Sequence, residues 1–324
     1  MNCKIAGFGE SVVDFIPVDS EKNTGDGCIT YKACPGGSVA NFCVVMARQG
    51  IGSVFIGGVG DDRFGRFLQE RIADFHVDSS SMVFTQECGT NLTFVDLKEN
   101  DQREYSFANQ PGADKMVDYE QIDIQKIFGC CLLHVSSNAM ICGKTRKSQP
   151  RLMEEAKKRG LVISYDVNYR ANYYRTREEA LEILRTPLKW ADIVKVTEEE
   201  LEFLTGARTV EAARSLIMDY GGRLILVTEG EGGSSFILPD CEGHVPACRV
   251  PVVDTTGAGD CFLGGFLSWM LLHGDLNHMV RRDVYEASVY ANKAAALSIQ
   301  RTGAMSSVPT RKEVEHFKDS ITEK

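Results

Sequence analysis

Six short apolar runs punctuate the chain: KIAGFG, SVFIGGVG, CLLHVSS, LVISYDVN, DIVKVT and RLILVTEG. Each is nearly continuous rather than alternating and stops at Gly, Asp, Asn, Ser or Thr, the pattern of strands covered on both faces. Amphipathic stretches lie between them: VANFCVVMARQG, FGRFLQERIADFH, QPRLMEEAKKRG, EEALEILRTPLKWA and VEAARSLIMDYGG. This βαβα rhythm predicts an α/β fold with a mostly parallel central sheet and helices on both faces. Right-handed crossovers would gather the polar residues that end the strands along one edge of that sheet.

Two segments break the rhythm. Residues 12–34, VVDFIPVDSEKNTGDGCITYKAC, lack helical periodicity, and residues 88–107, CGTNLTFVDLKENDQREYSF, alternate around a KENDQ turn as a hairpin does. Together they predict a small β-layer, either a structural edge extension or, the favoured reading, a lid over a pocket, since Phe15, Ile16, Phe94 and Phe107 need something to cover. The 324 residues then form one large domain, 1–324, with a lid from about 12–34 and 88–107 and a frayed FKDSITEK tail.

The strongest chemical signal is VVDTTGAGDCFLGGFLSWMLLHG. Gly257, Ala258 and Gly259 open an apolar helix and leave backbone N–H groups exposed at its positive end, an anion site. Asp260 follows in the first turn, where it is either an ordinary N-terminal carboxylate or a catalytic one. The Gly-Ala-Gly before it and Gly264-Gly265 after it favour catalysis. A helix N-terminus should depress the Asp260 pKa, and phosphoryl transfer tolerates a weak base because orientation and charge stabilisation dominate.

Upstream, Gly36-Gly37 precede a helix carrying Asn41, whose amide could both donate to and accept from vicinal hydroxyls. Asp61 and Asp62, in GGVGDDRFG, read as structural. In SYDVNYR, period two places Asp166, Asn168 and Arg170 on one face of a strand end. Arg170 there either fixes a phosphate or pairs with a surface acid. IVKVTEEELEFLTG puts Lys195 and Thr197 at another strand end, with Glu198 to Glu200 as dipole complements or a water-mediated Mg²⁺ ligand. LILVTEGEGGS supplies Thr228 and Gly230. Gly143-Lys144-Thr145 is not a P-loop, because position 138 is Asn, and Gly7-Phe8-Gly9 lacks the third dinucleotide-binding glycine. The histidines show no metal spacing, and His134 reads as a core or crevice residue.

Composition narrows the field. With 43% hydrophobic and 25% charged residues the profile is that of a globular protein. A net charge of −9 argues against nucleic-acid partners, which call for Lys and Arg. No run approaches 18 apolar residues, so no membrane partner is expected, and MNCKIAGFGESVVDF reads as a first strand rather than a signal peptide. The eleven cysteines contain no CxxC pair and mostly sit in apolar runs, as reduced thiols of a cytoplasmic protein would. Cys28 with Cys34, or Cys241 with Cys248, could pair, though nothing demands it.

Taken together, GG through Asn41, GGVGDDRFG, DTTGAGDCF and the closing AAALSIQRTGAMSSVP resemble the ribokinase-like (pfkB) family of carbohydrate kinases over nearly the whole chain. The resemblance implies a Rossmann-like domain with a β-lid, often dimerising through the lid, that binds a sugar and ATP with Mg²⁺. It implies that Asp260 is the base and that the amides of Gly257, Ala258 and Gly259 hold phosphate. Asp14, Gly37 and Asn41 match sugar-binding positions, with Arg103 and Arg170 also at the sugar end. Lys195, Thr228, Gly230, Asn292 and the run from Ala294 to Ser298 match the nucleotide side. Asp254, Thr256, Gly303 and Ser307 are candidates for a monovalent cation such as K⁺. The family's Asn-x-x-Glu appears as Thr197 to Glu200, retaining only Glu200 for Mg²⁺. GFGESVVDFIP, DVNYRANYYRTREEA and REYSFAN look most like fructokinases; a 2-keto-3-deoxygluconate kinase, a ribokinase, or a non-catalytic binder of sugar or nucleotide stand as alternatives.

Overall fold

The computed structural model describes residues 4–18, 29–97 and 103–317, so the KENDQ turn, Cys28 and the tail beyond 317 lie outside the described residues. In chain order the strands are β1 (Lys4–Phe8), β2 (Val12–Pro17), β3 (Tyr31–Gly36), β4 (Gly52–Ile56), β5 (Gly58–Gly60), β6 (Val83–Thr85), β7 (Leu92–Leu97), β8 (Arg103–Phe107), β9 (Leu132–Ser136), β10 (Val162–Asp166), β11 (Ile193–Thr197), β12 (Leu224–Thr228), β13 (Ser234–Ile237) and β14 (Glu242–Val245). The helices are α1 (Ser38–Arg48), α2 (Arg63–Asp74), α3 (Ile124–Phe128), α4 (Thr145–Lys158), α5 (Arg177–Arg185), α6 (Glu198–Thr205), α7 (Val210–Tyr220), α8 (Ala258–His273), α9 (Arg281–Ser298) and α10 (Arg311–His316). Among the described residues no helix is long and apolar enough to cross a membrane.

The main sheet runs β14-β13-β12-β11-β10-β9-β1-β4. The six apolar runs are its parallel strands, and their continuous hydrophobicity has a simple cause. Alternate residues feed opposite layers: Ile5, Phe55, Leu132, Val162, Ile193 and Leu224 pack with residues of α1, α8 and α9. Ala6, Ile56, Leu133, Ile163, Val194 and Ile225 pack with residues of α4, α6 and α7. With both faces buried, neither set can be polar.

β3-β2-β7-β8 form the second sheet, with β2 and β3 antiparallel and β7 and β8 an antiparallel hairpin, from the two segments that broke the rhythm. Phe15 stacks on Phe94 at 4.9 Å between ring centroids, and Tyr31 and Phe64 of α2 meet Phe15 edge-on.

The antiparallel strands β13 and β14 were not anticipated, because Ser234, Ser235, Pro239 and Asp240 obscure their periodicity. Helix α4 begins at Thr145 and runs through Pro150, earlier than its apolar stripe suggested. The period-two reading of Asp166, Asn168 and Arg170 fails: β10 ends at Asp166, and Asn168 turns left-handed at φ 41°, a conformation asparagine tolerates. Arg170 is exposed, its guanidinium donating to Tyr169 O (3.3 Å). The Cys241–Cys248 pairing does not form: neither is disulfide-bonded, nor is Cys34. Cys131 departs from the reduced reading in being disulfide-bonded; its amide donates to Lys4 O, which brings it against the start of β1.

Candidate active site

The parallel strands end along one edge with Ser136, Asp166, Thr197 and Thr228, and α1 and α8 point their N-termini at the same place. Gly257, left-handed at φ 79°, is the N-cap of α8. The Ala258 amide closes a turn onto Thr255 O (3.2 Å), so it does not face outward as expected. Gly259 and Asp260 follow in the first turn, whose N–H groups have no acceptor within the helix.

Two side chains of α1 hold Asp260: the Ser38 hydroxyl donates to Oδ1 (2.8 Å) and the Asn41 amide to Oδ2 (2.8 Å). Asn41 Oδ1 is buried without a partner among the described residues. The GG step is needed on both counts. A Cβ on Gly36 would stand 2.1 Å from Asp14 Oδ2, and one on Gly37, at φ 104°, 2.6 Å from Glu10 O. Glu10, which sequence reasoning missed, is buried and accepts from Ser38 N (3.0 Å) and from the Ser136 hydroxyl (3.1 Å).

Behind Asp260 lies a buried ion pair between Lys195 Nζ of β11 and Asp166 Oδ1 of β10 (3.2 Å), residues paired in register. The Lys195 ammonium stands 3.1 Å from where a Gly259 Cβ would be, directly against the anion site. Glu200 sits in a capping box, its oxygens accepting from Thr197 N (2.8 Å) and Tyr169 N (2.7 Å).

These charges reverse the expected electrostatics of Asp260. Burial, followed by the Asp166 carboxylate, pushes its pKa up from 3.8 to about 7, against the hydrogen bonds from Asn41 and Ser38 and the attraction of Lys195. The depression expected from the helix N-terminus is overridden because desolvation penalises the anion more. Burial likewise raises Glu200, with Asp166 adding and Lys195 opposing. Burial pulls Lys195 down, but Asp166, Glu200 and Asp260 more than offset it and keep the ammonium charged.

The other predicted residues fall around this centre. Asp14 lies on β2 and Arg103 begins β8, its side chain outside the described set. Thr228 ends β12 beside Thr197, donating to Val196 O (3.3 Å). Gly230, at φ 55°, has nothing within 4 Å of its Cβ position and borders open space. Asn292 of α9 is spent on protein: its amide donates to Val245 O and Pro246 O (both 3.1 Å) and its oxygen accepts from Ser234 (3.1 Å). Asp254, buried, gathers Thr256 N (2.8 Å) and Gly303 N (2.9 Å), while the Ser307 hydroxyl donates to Ala304 O (3.2 Å). His134 is a core residue: burial lowers its pKa to about 4, and its ring lies 3.9 Å from that of Phe42.

A carboxyl group with its pKa near 7, beside a helix N-terminus and an ammonium, is an arrangement suited to phosphoryl transfer. The family model for pfkB carbohydrate kinases matches residues 3–311, and the chain belongs to that family. It is 36% identical to fructokinase-1 of Oryza sativa over 96% of each chain. Among solved structures it resembles the fructokinase of Xylella fastidiosa with bound ATP (TM-score 0.87, 27% identity, 97% of each chain). It also resembles a fructokinase double mutant of Vibrio cholerae bound to fructose, ADP and potassium (TM-score 0.86, 32% identity, 97% of this chain and 98% of that one).

Proposed function

We propose that the chain transfers the γ-phosphoryl group of ATP to the primary hydroxyl of D-fructose, giving fructose 6-phosphate and ADP. The observation that carries this reading is Asp260: a buried carboxylate poised near pH 7, held by Ser38 and Asn41 and facing an anion site. A base whose pKa lies near working pH combines availability with driving force for proton removal. A sensor that only bound sugar would gain nothing from keeping this carboxylate buried and half-protonated.

In this reading Asp260 takes the hydroxyl proton. The helix-end amides about Gly257 and Gly259 and the Lys195 ammonium stabilise charge on the transferring group. Asp14, Gly37 and Asn41 hold the sugar, with Arg103 and Arg170 at its outer edge, and Thr228 and Gly230 line the nucleotide side. Asn292 contributes by fixing β13 and β14 to α9 rather than through its amide.

Among the described residues no cluster of three or more His, Cys, Asp or Glu could hold a metal directly. Both Glu200 oxygens already accept from Tyr169 N and Thr197 N, so Glu200 would meet a Mg²⁺ ion brought by the nucleotide through water, and the ion would neutralise phosphate charge. Asp254, with Thr256, Gly303 and Ser307, suits a K⁺ that would order the loop beside Gly257, and Ala304 lies 3.2 Å from the Gly257 Cβ position. The aromatic lid sheet is the proposed homodimer surface, testable by light scattering. ATP as donor and the mostly free thiols fit a cytoplasmic enzyme.

A coupled ADP-release assay with Mg²⁺ and K⁺, run over fructose, ribose, ketodeoxygluconate and nucleosides, tests the assignment. Fructose should give the highest kcat/KM; no turnover with any sugar would sink the reading.

A further inference from the structure

Two buried acceptors at the root of the lid are left over by the chemistry above. Asn91, 5% exposed, immediately precedes β7, and its carbonyl accepts from Val13 N beside Asp14. Asp114, 2% exposed, lies in a short 3₁₀ turn, Ala113–Lys115, beyond β8. Asn91 Oδ1 and Asp114 Oδ1 both lack a hydrogen-bond partner among the described residues.

Both side chains pack against Gly112. A Cβ on Gly112 would stand 2.7 Å from Asp114 Oδ1, 2.7 Å from Asn91 Cβ and 3.1 Å from Asn91 Cγ. Asp114 Oδ2 is occupied by the Lys115 ammonium (2.6 Å). Burial pulls Lys115 down, but Asp114 and then Glu10 raise it above its ordinary value, so the ammonium stays charged. Glu10 is the residue that fixes Ser38, which in turn holds Asp260, so the cluster adjoins the reaction centre. Tyr173 bridges the same region: burial raises its pKa, and Asp114, Glu10 and Asp14 add to the rise while Arg170 opposes it.

A buried acceptor without a donor is costly, and such groups are usually completed by water or a ligand. Three carboxylates, Asp114, Glu10 and Asp14, against the buried Lys115 ammonium and the exposed Arg170 guanidinium leave the neighbourhood net acidic, suited to O–H donors and unfavourable to an anionic acceptor. We propose that Asn91 and Asp114 form a subsite accepting hydrogen bonds from sugar hydroxyls distant from the phosphorylated carbon, which selects neutral polyhydroxyl acceptors over sugar acids. This rests on the fructose reading and deepens it.

The test compares Asn91→Ala and Asp114→Asn with the unaltered enzyme, reading fructose and ketodeoxygluconate by both turnover and calorimetry. Each substitution should raise KM and Kd for fructose about tenfold, the cost of a hydrogen bond to a charged or buried partner, while KM for ATP stays within about twofold. Deoxyfructoses lacking one secondary hydroxyl each provide the decisive arm. At least one should bind the unaltered enzyme about tenfold more weakly yet lose little more in the variants. Variants with lower Tm but unchanged fructose Kd would assign the two acceptors to structural water and overturn the proposal. So would strict additivity with every deoxy analogue, or tight binding of the sugar acid by the unaltered enzyme. Fructose binding without turnover would speak against the kinase reading alone, because the Kd comparison would still stand.

Discussion

Replacing Asp260 with Asn should make the protein more stable and almost inactive, with a pH signature that ties both effects to one cause. The folded state raises this carboxyl from 3.8 to about 7. A group with a raised folded pKa is protonated, and carries no penalty, well below its unfolded pKa. The penalty grows as pH rises from about 4 to 7 and is complete above 7. Roughly three pKa units at ~1.4 kcal/mol each give an upper bound of ~4 kcal/mol at pH 8. By the same linkage it falls to less than half near pH 5 and to ~0.5 kcal/mol near pH 4.

The asparagine fits the site. Its oxygen keeps the Ser38 hydroxyl, and its amide can donate to Asn41 Oδ1, which has no partner among the described residues, once the Asn41 amide turns over. Allowing for the charge-assisted bonds lost, we expect ~1–3 kcal/mol of net stabilisation at pH 8, a Tm rise of roughly 2–6 °C. Scanning calorimetry of both proteins from pH 4 to 8 reads this directly, and ADP release at pH 8 should fall about 10³-fold. A Tm difference that does not change with pH, or a less stable variant at pH 8, would show that Asp260 is not a desolvated base.

Other predictions follow from the same geometry. The kcat/KM for fructose should rise with pH along a limb near 7 and flatten above it. Asp166→Asn, which removes a neighbouring negative charge and leaves Lys195 to Asp260, should move that limb about one unit toward acid, and a limb that stays in place would remove Asp166 from the tuning. Gly259→Ala would press a methyl against the Lys195 ammonium at 3.1 Å and should cut kcat about 10- to 100-fold with little change in fructose Kd. Asp254→Ala releases Thr256 N and Gly303 N and should abolish activation by K⁺, measured as the ratio of rates with K⁺ and without monovalent cation.

Legibility in the sequence varied with how local each feature is. The parallel strands could be read because burial on both faces leaves runs such as LVISYD almost wholly apolar. The β13–β14 pair could not, since Ser234 and Ser235 sit on an edge hairpin where the alternation is weak. DTTGAGD declared its chemistry through small residues at a helix start. Glu10 and Ser38 gave no such signal, because an acid just after a strand and a serine at a helix start are both common without chemistry. The sign of the Asp260 shift was inaccessible for a similar reason. It depends on Asp166, a residue on a different strand, and on burial that only tertiary packing creates.

Packing between α1 and α8 leads further. A Cβ on Gly264 would stand 2.5 Å from Val45 Cγ1, and one on Gly265 3.0 Å from Ala294 Cβ. The missing side chain at Gly264 lets the helix bearing Asp260 close on α1, which bears Ser38 and Asn41, and the one at Gly265 lets it close on α9. The reactive half of the molecule is therefore mechanically self-contained. Lid residues can be exchanged to recruit a different acceptor without retuning the proton-accepting group, whereas bulk added at Gly264 should disable every acceptor alike. On the proposed reading, new substrates would be reached by editing the cover, and loss of function would come most readily from the closely packed helices beneath it.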